Sequence, residues 1–414
     1  IYDGITNQII DSVNIPSVGS INITQLDYYQ KRPSALQLVS FVTPYGINLD
    51  LGMGGKTWVF DVTDFAPVLK GWKRMFINGG GERQEDMDIK FMFIVGTPPR
   101  DVLDINNIWR VDAPGYTSIL NDDIYEPRSL TLNNPAATAY KIKSAITGHG
   151  QEGEFIPRTH WINIAGGAPE FSWDVWKPCA SNPVYPQGGT WIYDRAGWCP
   201  GMATDVKEMN ITPYLTLPGT NVIDYGLITA SGSSNYWVSN QLVAYGNPNF
   251  SLDAAIVDIK NPSNKVEYAR TNSICKHPVV VIRNTGSTPL TSATIEYWVN
   301  NNPVKETFNW TGNLSFLDTA EVTLTGTDNL WSAVTGASNN SFHAEIKNPN
   351  NGTDGYVLNN KFNSTFDITN VVPSNFIIWV KTNLAGAETK YELLDENGNQ
   401  IFLRDNLANS TNYR

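Results

Sequence analysis

Charge is scarce in this chain, and basic charge most of all. Lys, Arg, Asp and Glu make up 17% of the 414 residues, and 29 basic side chains face 40 acidic ones, a formal net charge of -11. That balance argues against nucleic acid and against anionic membrane surfaces as partners, and leaves neutral carbohydrate compatible. No run of about 18 apolar residues occurs, so no helical membrane span is expected. The four histidines, His149, His160, His277 and His343, are scattered without His-x-His or HExxH spacing, so no metal site is expected. No Gly-x-Ser-x-Gly elbow precedes a helix and no phosphate-binding glycine loop is present. No signal peptide is visible; any export signal has been removed or lies outside this sequence. Three cysteines allow one disulfide and one leftover thiol.

What is plentiful points one way. Gly, Pro, Asn, Ser and Thr are abundant, aromatics reach 11% and hydrophobic residues 41%, the profile of a β-rich extracellular protein with real cores. The length suggests two to four domains.

The chemistry concentrates between Trp191 and Met202. Two tryptophans and a tyrosine offer flat faces for sugar rings, Arg195 offers a fork of donors, and Gly197, Pro200 and Gly201 force an irregular backbone. The run from Asp194 to Met202, preceded by Cys179-Ala180-Ser181-Asn182-Pro183, resembles the signature of bacterial peptide-N-glycosidases of the F type, which cut glycan from asparagine. Further blocks carry the resemblance: Phe41 to Tyr45, Phe60 to Phe65, Val95 to Pro98 and Arg158-Thr159-His160. It spans roughly residues 1–248. Cys179 and Cys199 are the natural disulfide pair, bracketing the loop, as the resemblance also implies. Cys275 is then free and expected in a core.

The expected architecture is all-β: two side-by-side jelly-roll sandwiches, an immunoglobulin-like β-sandwich and a partial β module. Residues 1–100 form the first jelly roll by resemblance, with its opening strands missing, Lys90–Val95 as a buried strand and one helical turn near Asp64. Residues 101–248 form the second, with strands expected at 138–142, 159–164 and 221–225. Residues 249–384 carry the immunoglobulin-like pattern, with strands near Val279–Gly286, Ala293–Val299 and Phe376–Val380. Residues 385–414 open with a hairpin around Asn397-Gly398 that resembles the start of a module of large secreted Bacteroidetes-type proteins, with no closing strand to follow.

The resemblance also implies roles. The family's principal catalyst is an aspartate at a first-domain strand, and Tyr2-Asp3, followed by Asn7, echoes it, with Tyr2 in place of a tryptophan and Gly4 in place of an arginine. Glu154 keeps the family's spacing to Arg158-Thr159-His160 and is the second catalytic carboxylate; as a bare residue beside Glu152 it reads as a solvated loop carboxylate. Counting back from Val95 puts Asn78 where the family has a glutamate and Gly80 where it has a stacking tryptophan. Glu82 supplies that carboxylate if the glycines bulge inward; otherwise 78–83 is a surface turn. His149 replaces another tryptophan, and a longer loop between Gly148 and Glu154 is absent. Arg195 and Trp198 stand as in the family, where their equivalents contact sugar. The candidate set is therefore Asp3, Glu154 and Glu82 for catalysis, with Tyr2, Asn78, His149, Arg195 and Trp198 for substrate. Asp194 reads as a structural ion pair or turn contact, His160 as a satisfied core histidine. No cofactor is implied. The expected partner is an N-linked glycoprotein or glycan, acted on outside a bacterial cell or at its surface after export, with secretion or outer-membrane proteins, those of the type IX route among them, as further partners. The alternative is a catalytically impaired glycan-binding or structural surface protein on the same fold.

Overall fold

The computed structural model describes residues 3–414 except 4, 7, 15, 17, 20–34, 47, 48, 80–85, 165, 269–276, 369–372, 374, 396 and 397. Tyr2, Glu82 and Cys275 therefore lie outside the described residues. The protein is all-β, built from antiparallel sheets.

Eight strands build the sandwich that carries the site: β1 (Arg100–Asp112), β2 (Arg128–Leu132), β3 (Ala139–His149), β4 (Arg158–Ile164), β5 (Phe171–Val175), β6 (Val206–Asn210), β7 (Gly219–Leu227) and β8 (Asn235–Pro248). Their order is β1-β8-β3-β6 in one sheet and β2-β7-β4-β5 in the other. Every step but β4 to β5 changes sheet, which is the jelly-roll winding. Alternation is the cause. In β3 every second residue from Tyr140 to Gly148 is buried while its neighbours stay half-exposed, so one face of the strand meets the core. Ile142, Ile146, Ile162, Ile223 and Tyr225 fill that core, each buried aliphatic side chain contributing about 1.5–3 kcal/mol. The short helices α1 (Tyr116–Leu120) and α2 (Gln151–Phe155) sit in the connections after β1 and β3.

Before Arg100 no strand forms among the described residues, so the sheets expected of a first jelly roll are not seen there. Lys90–Val95, expected as a buried strand, is extended but exposed, with Phe93 at 79% and Ile94 at 93%. A run apolar on both faces is stable only with strands at both edges and cover on both sides, and the described residues supply neither. Residues 35–38 and 62–69 instead pack on the outer face of the β1-β8-β3 sheet. Phe65, in the single 3-10 turn Thr63–Phe65, is buried against Ile105, Val243 and Tyr245. Beside it Asp64 accepts from Lys143 Nζ at 2.8 Å and from the Tyr245 hydroxyl at 2.7 Å. Burial opposes the Asp64 charge, but Lys141, Lys143 and that hydroxyl outweigh it and hold the carboxyl below its usual range.

A second sandwich follows, with β9 (Ala254–Asn261), β10 (Val279–Asn284), β11 (Leu290–Val299), β12 (Glu306–Leu314), β13 (Thr319–Thr323), β14 (Asn340–Lys347) and β15 (Lys361–Phe366). Sheet β13-β10-β9 faces sheet β12-β11-β14-β15 over Val280, Ile282, Ile295, Tyr297 and Phe342. In the tail, β17 (Tyr391–Leu394) pairs with β18 (Gln400–Arg404), and β16, which is only Val380–Lys381, pairs with β19 (Asn412–Tyr413). Two expectations change here. Phe376 to Trp379 are exposed and outside any strand, and Asn412–Tyr413 does close back on the chain. Among the described residues no helix is long and apolar enough to cross a membrane.

Candidate active site

The loop 190–202 is pinned before any side chain acts. Cys179 and Cys199 form the expected disulfide. Lys177 and Arg195 exchange backbone hydrogen bonds at 2.7 and 3.1 Å. Asp194, expected in a turn or ion-pair role, accepts from the Cys179 N–H at 2.9 Å. Gly197 has φ +78°, and a Cβ there would stand 2.1 Å from the Ile146 carbonyl oxygen, so only glycine lets the loop lie against β3.

Two other segments meet this loop. Residues 40–42 zip onto 201–204, with Val42 N–H donating to Met202 O at 3.0 Å, Gly201 N–H to Val42 O at 2.8 Å and Thr204 N–H to Ser40 O at 3.0 Å. That pairing carries Tyr45 to the site. Helix α2 brings Glu154, whose carbonyl accepts from the Ala196 N–H at 2.9 Å. The three pieces close around Arg195.

Arg195 is fully buried. Its Nε donates to Glu154 Oε1 at 2.7 Å, Nη1 to Tyr193 O at 2.7 Å, and Nη2 to Thr190 O and Oγ1 at 2.8 and 2.9 Å. The guanidinium also lies 4.9, 5.1 and 5.8 Å from the ring centroids of Trp198, Phe155 and Tyr45. A buried cation is tolerable only when its donors are used and a carboxylate is close, and both conditions hold. Glu154 is thereby fixed through one oxygen. Its Oε2 makes no hydrogen bond among the described residues, and the side chain is 19% exposed. The Tyr45 hydroxyl lies within the field of both charges. Burial raises its pKa, while Arg195 and Glu154 act in opposite directions, so it stays protonated and able to donate near neutral pH.

Trp198 is 7% exposed, donates its indole N–H to Gly148 O at 2.9 Å, and stacks on His149 at 5.6 Å between centroids. The His149 Nε2 pairs with Thr147 Oγ1 at 2.9 Å, and burial lowers the pKa of the ring. Arg195 and Trp198, expected to present faces to a sugar, thus form the floor of the site. The exposed ring is Tyr193, 56% accessible and edge-on to Phe155.

Glu154, His149, Arg195 and Trp198 come together; of the other candidates, the described ones, Asp3 and Asn78, make no contact with them. Asp3 is partly exposed and accepts from the Ile5 N–H, the Thr6 N–H and the Thr6 hydroxyl at 2.9, 2.6 and 2.9 Å. Those bonds, led by the Thr6 N–H, lower its pKa and tie one carboxylate oxygen, Oδ1, into its own turn. Asn78 is exposed on an extended stretch. Tyr2 and Glu82 lie outside the described residues. His160 is fully buried and bonded to the Tyr225 hydroxyl at 2.8 Å, a core histidine. Among the described residues no group of three or more His, Cys, Asp or Glu side chains could hold a metal ion. Reading residues alone missed Tyr45, Phe155 and Thr190. The Phe41 to Tyr45 block was the available signal, but nothing along the chain says that its tyrosine meets Arg195.

Known proteins match part of the chain. Residues 115–273 match the family described as peptide-N-glycosidase F, C terminal. The peptide-N(4)-(N-acetyl-beta-D-glucosaminyl)asparagine amidase F of Elizabethkingia miricola is 27% identical over 40% of this chain and 51% of its own length. The chain thus spans about half of that curated relative. Among solved structures, PNGase F of Flavobacterium meningosepticum, a glycosylasparaginase, is 24% identical over 37% of this chain and 55% of that one, with a TM-score of 0.30. A second amidase structure of that name is 27% identical over 29% and 44%, with a TM-score of 0.27.

Proposed function

We propose, for a chain whose residues 115–273 match the family described as peptide-N-glycosidase F, C terminal, that it is a peptide-N-glycosidase-like amidohydrolase. It cleaves the amide between asparagine and the first N-acetylglucosamine of N-linked glycoproteins. The observation that carries this reading is the Glu154 carboxylate, held at one oxygen by buried Arg195 while the other is left without a hydrogen bond among the described residues. Amide hydrolysis needs a water activated by a base, donors for the oxyanion and a grip on the sugar. The free oxygen of Glu154 takes a proton from water as that water attacks the asparagine side-chain carbonyl. The Tyr45 hydroxyl donates to the oxyanion. Collapse breaks the C–N bond, the proton passes to the leaving nitrogen, and the products are aspartate and a glycosylamine that later loses ammonia. Tyr193 offers the sugar a face, with His149 at the rim. The setting is extracellular or at the cell surface, and the seven-stranded second sandwich acts as an immunoglobulin-like spacer.

A second reading, glycan binding without hydrolysis, is favoured by Asp3, whose carboxylate is engaged in its own turn. Glycan release from a denatured N-glycoprotein separates the two. Activity in the parent and in Asp3→Asn, lost in Glu154→Gln, establishes the amidase with Glu154 as its base. An inactive parent that still retains glycopeptide establishes the binding protein.

A further inference from the structure

The jelly roll has a second concavity, where the edge strand β5 of one sheet comes near the edge strand β6 of the other. It is a cleft of about 320 Å³ lined by Ser144, Trp173, Trp176, Asp174, Asp205 and Lys207 among others. We propose that this cleft binds one neutral pyranose unit of a saccharide. The inference is independent of amide cleavage.

Its floor carries the argument. Inward positions of β3 run Tyr140, Ile142, Ser144, Ile146, so a hydroxyl interrupts an apolar row. Ser144 is 2% exposed, and its Oγ is buried without a hydrogen-bond partner. Leaving a buried hydroxyl unpaired costs about 1–3 kcal/mol, a cost that alanine would avoid. A ligand hydroxyl reaching the floor removes it.

The walls select the class of ligand. Trp173 and Trp176 are both partly exposed and offer apolar ring faces to the C–H face of a sugar. Asp174 accepts from the Thr159 hydroxyl through Oδ1, and Asp205 pairs with Lys177 through Oδ1. The second oxygen of each carboxylate has no hydrogen bond among the described residues and can accept from sugar hydroxyls. With two carboxylates against Lys207, Lys177 being already paired, the cleft disfavours anions. Its volume lies at the small end of the range for ligand pockets, which suits one ring rather than a chain. Gly197 also lines it, two residues from Arg195, so the cleft and the Glu154 site share one loop.

The test is saturation-transfer NMR and tryptophan fluorescence on the full chain, titrated with the methyl glycosides of mannose, galactose and N-acetylglucosamine. At least one glycoside should bind. Trp176→Ala and Ser144→Ala should each weaken that binding tenfold or more, with the Ser144→Ala melting temperature not lowered, while Glu154→Gln leaves it intact. The proposal is overturned by no transfer to any glycoside, by binding untouched by Trp176→Ala and Ser144→Ala, or by binding that only Glu154→Gln removes. A Ser144→Ala variant that melts higher and binds equally well shows the cleft to be a hydrated seam and also overturns it.

Discussion

Replacing Arg195 with methionine should destabilise the first sandwich by about 3–5 kcal/mol, the range for removing one partner of a buried ion pair. Methionine keeps much of the aliphatic volume, so the loss reports the guanidinium. Without it the Glu154 carboxylate and the carbonyls of Thr190 and Tyr193 lose donors at 2.7–2.8 Å. Glu154 is 19% exposed, so water relieves part of its deficit and the lower end of the range applies. Glu154→Gln keeps an acceptor for Nε and should cost less, about 1.5–3 kcal/mol. At roughly 2–4 °C per kcal/mol for a domain of this size, Arg195→Met should lower the transition by about 10 °C in scanning calorimetry. A change below about 1 kcal/mol would refute the reasoning. It would place the guanidinium at the surface in solution, free to contact sugar.

The disulfide closes a loop with a sequence separation of 20, so Cys179→Ser with Cys199→Ser should cost about 3 kcal/mol in urea unfolding; no cost would mean the loop is held without it. His160 is buried neutral, with its pKa pushed down to about 3 by burial. The unfolded chain takes that proton near pH 6.5, so stability should fall as the pH drops from about 6.5 toward 3. The urea midpoint followed from pH 7 to 4.5 reads this, and His160→Gln should flatten the slope. Asp354 has the opposite sign: burial and the adjoining Asp253 carboxyl push its pKa up to about 6. It stabilises the second sandwich fully below about pH 3.8, and that contribution is lost as the pH rises through 6. Asp354→Asn should therefore gain about 1 kcal/mol at pH 7.5, discounted for its partial exposure, and a loss there would sink the assignment.

Much of the strand layout could be read from alternation, because a residue facing the core must be apolar whatever the partner strand is. The rows in β4, β7 and β10 fall within two residues of expectation, while β3 runs on to His149 from an expected end at 142 and β11 starts at Leu290 rather than Ala293. The Lys90–Val95 run shows the limit. Its composition states what the segment needs on both faces, and no local pattern says whether the described chain provides it.

The site divides in the same way. The chain by itself offered Cys179 and Cys199 as the pair bracketing the loop and His160 as a core residue, while Glu154, Arg195 and Trp198 were singled out, along with Asp3 and Glu82, by the resemblance of their surrounding blocks. Tertiary structure decided the rest: that Arg195 is an interior pillar rather than an open donor, that Tyr45 arrives from a distant segment, and that Asp3 Oδ1 closes a turn of its own segment. The physical reason is that a buried cation is set by the sum of its neighbours, here from residues 45, 154, 155, 190, 193 and 198, and only the fold brings them to one point.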